Sequence, residues 1–505
     1  MKIAGWFTFG LRLPSFAWFV SIALTGCASQ PLYPDLATDI AAAGLAPEQV
    51  ALSIIPLAQN PRKPVLYRAD ALMQPASTLK IVTTSAAFAE LGLSWRGETQ
   101  LLVAKSDLAN MATGRLQQPL IVRGLADYDL DYSTLYELLQ QLQARGIHSL
   151  EGGILIDRSL FADPTAKEPF DQSPQAYYNY QPDALPLGRN MLQVRVDSRQ
   201  STATSEGSAA KVLLIPHWQA LQVKSELSIT DAPCKNANTD GWQWLYQPPS
   251  QQAAAIKTNV PQTTQAAHLV VRGAFPRDCL FERNQAVFSQ DVTLELALRA
   301  SWQHLGGTGF GALQFGKTPD NYQLLARHYS RPLPQLVHQL NKESDNGLAQ
   351  LLFQRLANPS NNATDLTLAQ AEQQVLLWLS QNQINTKGMQ LDNGSGLSRT
   401  AQLSAEQLAA ILAYNWRQPW APEFISSLPL AGQDGTIRQR FQQTPVLNQA
   451  RLKTGTLRNV TAIAGYVWDQ QQRPYVFVAI VNAKNASSLG RPLINRWVTT
   501  LVQSK

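Results

Sequence analysis

Three short groups of residues in this chain have the types and spacing that an acylatable serine requires. Ser77-Thr-Leu-Lys80 sets a hydroxyl and an amine three residues apart, on one face of a helix. A serine hydroxyl is a weak nucleophile until a neighbouring base takes its proton, and a lysine desolvated in a closed site is neutral enough to do so. Ser208-Ala-Ala-Lys211 has the same spacing but sits in a polar stretch before Pro216, with no apolar helix to hold it, so context selects Ser77 and Lys80. The second group is Ser344-Asp-Asn346, between the apolar runs Leu336 to Leu340 and Leu348 to Leu356. Ser360-Asn-Asn362 and Ser380-Gln-Asn382 also match Ser-x-Asn, so order and flanks select Ser344. Its hydroxyl would relay protons between Lys80 and a leaving amine, while the Asn346 amide would bind a substrate carbonyl.

Lys453-Thr-Gly-Thr456 is the third group and the one Lys-Thr/Ser-Gly in the chain. It leads into the strand-like run Val460 to Val467. On an edge strand, Gly455 lets another backbone approach closely, so a peptide can add as a further strand. Lys453 supplies positive charge, and the Thr454 and Thr456 hydroxyls suit a terminal carboxylate. The backbone N–H groups of Thr456 and Ser77 would form an oxyanion hole, worth about 3 to 4 kcal/mol per donor.

These groups need elements to hold them. Val50 to Pro56 and Pro64 to Tyr67 read as strands joined by a Pro-containing turn. A helix follows, with Pro75 in its first turn, Leu79, Val82, Ala86 and Ala89 at helical spacing, and Gly92 as the stop. Ile81, Ala87 and Phe88 extend the apolar surface almost all round, which predicts a buried helix. Between about 98 and 300 the texture changes to strand-like runs such as Leu120 to Gly124, Gly153 to Asp157 and Leu269 to Gly273. Polar stretches at Ser198 to Ala210 and Gln247 to Ala267 read as loops. Longer helices return after about 300, at Ala369 to Leu379 and Ser404 to Tyr414, so a core domain interrupted by an insertion is expected. No internal repeat is evident.

Composition narrows the function classes. With 15% charged residues, a formal net charge of +6 and no Lys/Arg-rich run, the chain lacks the footprint of a nucleic-acid binder. Residues 1–26 read as an export signal, with Lys2 and Arg12 before the largely apolar Leu13 to Leu24. The signal ends in Leu24-Thr-Gly-Cys27, which resembles the lipobox of bacterial lipoproteins. That resemblance implies acylation of Cys27, with Ala28 pointing to the outer membrane; cleavage after Ala28 is the other reading. Outside the cytoplasm, Cys234 and Cys279 are expected to form one disulfide, closing a loop of about 45 residues and stabilising it by roughly 3 to 4 kcal/mol. The six histidines are scattered in unlike contexts, and no spacing points to a metal or other cofactor.

Taken in order, the three groups resemble those of penicillin-recognising serine enzymes, specifically the penicillin-binding protein 4 family of D-Ala-D-Ala carboxypeptidase/endopeptidases. Met73 to Lys80, Glu343 to Ala349, Asn393-Gly-Ser-Gly-Leu-Ser-Arg399, Leu428 to Thr436 and Leu452 to Arg458 carry the likeness. The long interval from Ser77 to Ser344 matches the two extra domains of that family, in layout more than in residues. The resemblance implies an α+β fold, a β-lactamase/transpeptidase-like domain whose antiparallel sheet is covered by helices, with two inserted mainly-β domains. The expected limits are 27–97 and 301–505 for the catalytic domain, 98–200 and 285–300 for the first insertion, and 201–284 for the second. It also implies peptidoglycan peptides as substrates, β-lactams as covalent inhibitors of Ser77, and Asp171 as an insertion-domain acid facing the stem-peptide diamino acid. Gln350 stands where relatives often have an acid. No Glu-x-x-Leu-Asn segment lies between Ser344 and Lys453, so slow release of penicillin is expected. A periplasmic location with a lipid anchor fits this reading, and homo-oligomerisation is compatible with it. A β-lactamase or esterase of the same fold, and a non-catalytic envelope lipoprotein, are the alternatives.

Overall fold

A computed structural model describes residues 33–504 except 34, 59, 109–110, 163–169, 172–175, 182, 200–209, 220, 235–241, 248–266 and 360–363. The signal segment and Cys27 lie outside the described residues. Among the described residues no helix is long and apolar enough to cross a membrane.

The segments Val50–Pro56 and Val65–Tyr67 pair antiparallel, in keeping with their apolar, partly β-branched residues. They meet three strands from the far end of the chain to give a five-stranded antiparallel sheet in the order 450–457, 460–468, 474–482, 50–56, 65–67. Neighbouring side chains take opposite faces. Leu52, Ile54, Ile463 and Phe477 pack on one side with Ile40 and the helix Ala486–Val502; Ala51, Ala462, Tyr466 and Val478 pack on the other with the helices that carry the site. The Lys-Thr-Gly strand is therefore at the sheet edge.

The helix read from Pro75 is present in two parts. A 3₁₀ turn spans Ala76–Leu79 and an α-helix spans Lys80–Glu90, with every residue from Lys80 to Phe88 buried. Ser77 thus stands on the 3₁₀ turn, where residues three apart eclipse, rather than on an α-helix. The helices expected around 369–379 and 404–414 are Leu368–Gln381 and Ala405–Trp416, each opened by a capping box, from Thr367 and Ser404.

The inserted region has its own core, and its limits differ from those expected. A five-stranded sheet joins Leu313–Phe315, Ile154–Asp157, Leu120–Leu125, Glu98–Ala104 and Tyr322–Tyr329. Helices Tyr132–Gln143 and Gln290–His304 supply Leu135, Leu139, Leu298 and Trp302 to the same core. The expected return to the catalytic domain at 301 falls inside this unit, whose sheet continues through Tyr329. The boundary expected at 200/201 likewise falls inside a sheet, because Leu192–Asp197 pairs with both Lys211–Ile215 and Leu280–Gln285. Pairing between segments remote in sequence leaves no mark on local hydropathy. A further three-stranded sheet, 221–230, 267–276 and 242–247, lies beyond it, and the disulfide Cys234–Cys279 ties that region together.

Candidate active site

Three pieces of chain converge at the open edge of the first sheet. Ala76 enters the 3₁₀ turn with φ of +47°, which swings Ser77 towards the Lys-Thr-Gly strand. A Cβ on Gly455 would stand 2.6 Å from the Pro75 carbonyl oxygen and 3.0 Å from Ser77 N, so glycine is what allows the strand to lie against the serine turn. Gly396 fills a matching role from the other side: with φ of +76°, its Cβ would sit 2.0 Å from the Ala76 carbonyl oxygen.

Lys80 is fully buried. Its Nζ lies 3.0 Å from Ser77 Oγ, 2.7 Å from Asn346 Oδ1 and 2.5 Å from the Ser395 carbonyl oxygen. Burial, reinforced by the nearby Lys453 charge, pushes the Lys80 pKa well below the ordinary lysine value. The two carbonyl oxygens can only accept hydrogen bonds. A neutral amine that donates its two hydrogens to them keeps its lone pair for the Ser77 hydroxyl, which is the arrangement of a general base.

The second group is built by a turn. Helix Leu333–Glu343 ends on Ser344 in the left-handed region, with φ of +60°, and helix Asn346–Arg355 begins at once, capped by Asp345, which accepts from Leu348 N at 3.1 Å. Ser344 Oγ accepts from Lys453 Nζ at 2.8 Å, so it is linked to the third motif rather than to Lys80. Asn346 is occupied on both sides: Oδ1 accepts from Lys80, and Nδ2 donates to the Tyr178 carbonyl at 3.1 Å. In the free protein this amide holds Lys80 and the Tyr178 carbonyl.

Lys453 is also fully buried, and desolvation lowers its pKa to about 7. It donates to Ser344 and, at 3.0 Å, to the Thr454 carbonyl. Leu452 N donates outward to the Pro429 carbonyl and the Ala450 carbonyl accepts from Ala431 N, so alternate residues of this strand direct their backbone groups to the open edge. By the period of two, Thr454 and Thr456 face the same way. Thr454 Oγ1 is 2.8 Å from Thr436 Oγ1.

Asp171 is exposed, and it accepts from the Tyr178 hydroxyl at 3.0 Å and the Asn179 amide at 2.8 Å. Gln350 is buried in the helix after Asn346. Reasoning from the sequence missed Ser395, Thr436 and Tyr128 as members of the site. Ser395 and Thr436 lie in the segments Asn393 to Arg399 and Leu428 to Thr436, where clustered glycines signalled tight turns. Tyr128 had no local signal; its hydroxyl bonds both Asp345 oxygens at 2.8 Å from across the inserted unit.

A family profile, D-Ala-D-Ala carboxypeptidase 3 (S13), matches residues 35–501. The chain belongs to this S13 family. S13 relatives include the D-alanyl-D-alanine carboxypeptidase DacB of Haemophilus influenzae, 26% identical over 428 residues, 84% of this chain and 83% of that protein. A D-alanyl-D-alanine carboxypeptidase from an Actinomadura species is 27% identical over 424 residues, 80% of this chain and 72% of that one. The crystal structure of penicillin binding protein 4 (dacB) from Haemophilus influenzae superposes with a TM-score of 0.72 at 24% identity, covering 92% of this chain and 99% of that chain. The S13 chain thus has the α+β fold of that protein, and as an S13 peptidase it is a serine hydrolase.

Proposed function

We propose that Ser77 is the nucleophile of a periplasm-facing D,D-peptidase acting on peptidoglycan stem peptides that end in D-Ala-D-Ala, or on cross-bridges between them. The observation that carries this reading is the Lys80 amine, buried, held by two carbonyl oxygens and 3.0 Å from Ser77 Oγ. The substrate lies along the open edge of the 450–457 strand, its terminal carboxylate on Thr454 and Thr456 with Lys453 behind. Lys80 takes the Ser77 proton as Oγ attacks the carbonyl carbon; the N–H groups of Ser77 and Thr456 hold the oxyanion. The carbon–nitrogen bond breaks, Ser344 passes a proton to the leaving amine, and water then hydrolyses the ester to restore the serine. A β-lactam acylates the same oxygen and leaves slowly. Cys27 carries the lipid that anchors the chain to the outer membrane, a role supported by its lipobox-like setting.

Wild-type protein and Ser77→Ala, incubated with fluorescent penicillin and with a D-Ala-D-Ala peptide, test the reading. The wild type should become covalently labelled and release D-alanine, and the variant should do neither. Label that survives Ser77→Ala would sink the assignment.

A further inference from the structure

A cleft of about 650 Å³ is lined among others by His338, Lys342, Glu343, Asp434, Thr436 and Arg438. Clefts of about 300 to 1,000 Å³ hold ligands much larger than one amino acid, so a departing alanine would leave most of this space empty. Two of its walls touch the machinery already described. Glu343 immediately precedes Ser344, whose Oγ is bonded to Lys453. Thr436 shares the 2.8 Å hydroxyl contact with Thr454. The cleft therefore opens where an amine would depart and where the carboxylate of the departing residue would rest.

Its charges are unequally committed. Asp434 is held by Lys342 Nζ at 2.6 Å, and the same amine donates to the Leu428 carbonyl at 2.8 Å. Arg438 is exposed, and among the described residues no carboxylate lies within 4 Å of its guanidinium. Burial lowers the pKa values of both His338 and Lys342, and the nearby Arg451 charge acts in the same direction. Beyond the Asp434–Lys342 pair, Arg438 carries the exposed positive charge of the lining, His338 is kept neutral by burial, and Glu343 is a further acid of the same cleft.

We infer that this cleft is the subsite for the leaving strand of a cross-bridge: a second peptide whose first carboxylate sits on Thr454 and Thr456, beside Thr436, and whose next free carboxylate meets Arg438. The inference rests on the D,D-peptidase reading. In the step concerned, Ser77 Oγ bonds to the carbonyl carbon, the bond from that carbon to the leaving strand's nitrogen breaks, and the nitrogen gains the proton that Ser77 gave up. The whole second strand then lies in the cleft.

The test compares kcat/KM for a cross-linked peptide dimer with kcat/KM for D-alanine release from an uncross-linked pentapeptide, in wild type, Arg438→Ala, Arg438→Glu and Arg438→Lys. Loss of a charge-assisted bond should lower the dimer value of Arg438→Ala roughly ten-fold more than the pentapeptide value, mainly through KM. Arg438→Glu should widen that gap and Arg438→Lys should largely close it. Equal losses on both substrates, or none, would overturn the subsite while leaving the peptidase reading intact, as would a wild type that trims the pentapeptide and leaves the dimer whole. A wild type inert on both substrates and unlabelled by penicillin would overturn the peptidase reading and the subsite together.

Discussion

The transpeptidase-like unit and the inserted unit meet the reacting atoms differently. The first supplies Ser77, Lys80, Ser344, Asn346 and Lys453 from three segments packed around one sheet edge, and two of these side chains are lysines with no exposure to water. Among the described residues, the second supplies no hydrogen bond to Ser77 or Lys80. Its groups gather one step further out, on the turn between two helices: the Tyr128 hydroxyl donates to the Asp345 carboxylate, 2.8 Å from either oxygen, Arg189 lies 3.6 Å from that carboxylate, the Tyr178 carbonyl receives the Asn346 amide, and the Tyr180 ring fills the space beside Gly347. Desolvation makes the chemistry in one unit, while polar bonds from the other fix the residue that holds the base.

The largest expected effect tests the first half of that comparison. Lys80→Ala should slow acylation by penicillin by roughly 10²- to 10⁴-fold, the ordinary value of a positioned base, measured by stopped-flow or gel labelling. A variant that acylates at the wild-type rate would move the base elsewhere.

The pH profile sharpens it. Lys80 serves as a base only when neutral, and its pKa is lowered, so the acylation rate should rise with pH along a limb well below the usual lysine range. Lys453 has the opposite sign: its positive charge is present below about 7 and lost above it in the free protein, so carboxylate binding should weaken as pH rises through that value. KM for a carboxylate-bearing peptide should therefore increase from pH 7 upward. A peptide whose C-terminus is amidated should not show that increase.

Tyr128→Phe tests the second half of the comparison. It removes the hydroxyl on Asp345 and keeps the ring; losing a bond to a charged group predicts a roughly ten-fold fall in kcat with KM little changed. An altered pH profile with an unaltered melting temperature would mark positioning of Asn346 and Lys80, whereas a fall in melting temperature that accounts for the whole activity loss would mark a structural role only. The smallest effect on chemistry belongs to Cys234→Ser with Cys279→Ser. Opening a loop of 45 residues should cost the region a few kcal/mol of stability while acylation changes less than about two-fold. A large loss of acylation would mean that the outer sheet is coupled to the site.

Much of this was legible in the chain. The strand at 50–56 and the helices near 369–379 and 404–414 follow from periodicity and caps, because these signals are local. The three motifs were found from residue types, their order and the glycine that a close strand requires. Other features had no local signature. The 3₁₀ turn under Ser77, the left-handed Ser344 and the Tyr128–Asp345 bond arise from contacts between segments far apart in sequence, and so does the pairing that carries the inserted sheet to Tyr329.

Sequence alone determined which groups can react, since a serine, two lysines and a Lys-Thr-Gly strand are matters of chemical identity and spacing. Only the tertiary structure decided their states. Lys80 and Lys453 lose the charge preference of free lysines because separate segments close over them and exclude water. It also decided the pairing: Lys80 with Asn346, and Lys453 with Ser344, across a separation of 266 residues for the first pair and 109 for the second. Such partners are chosen by packing, and packing is a property of the whole folded chain.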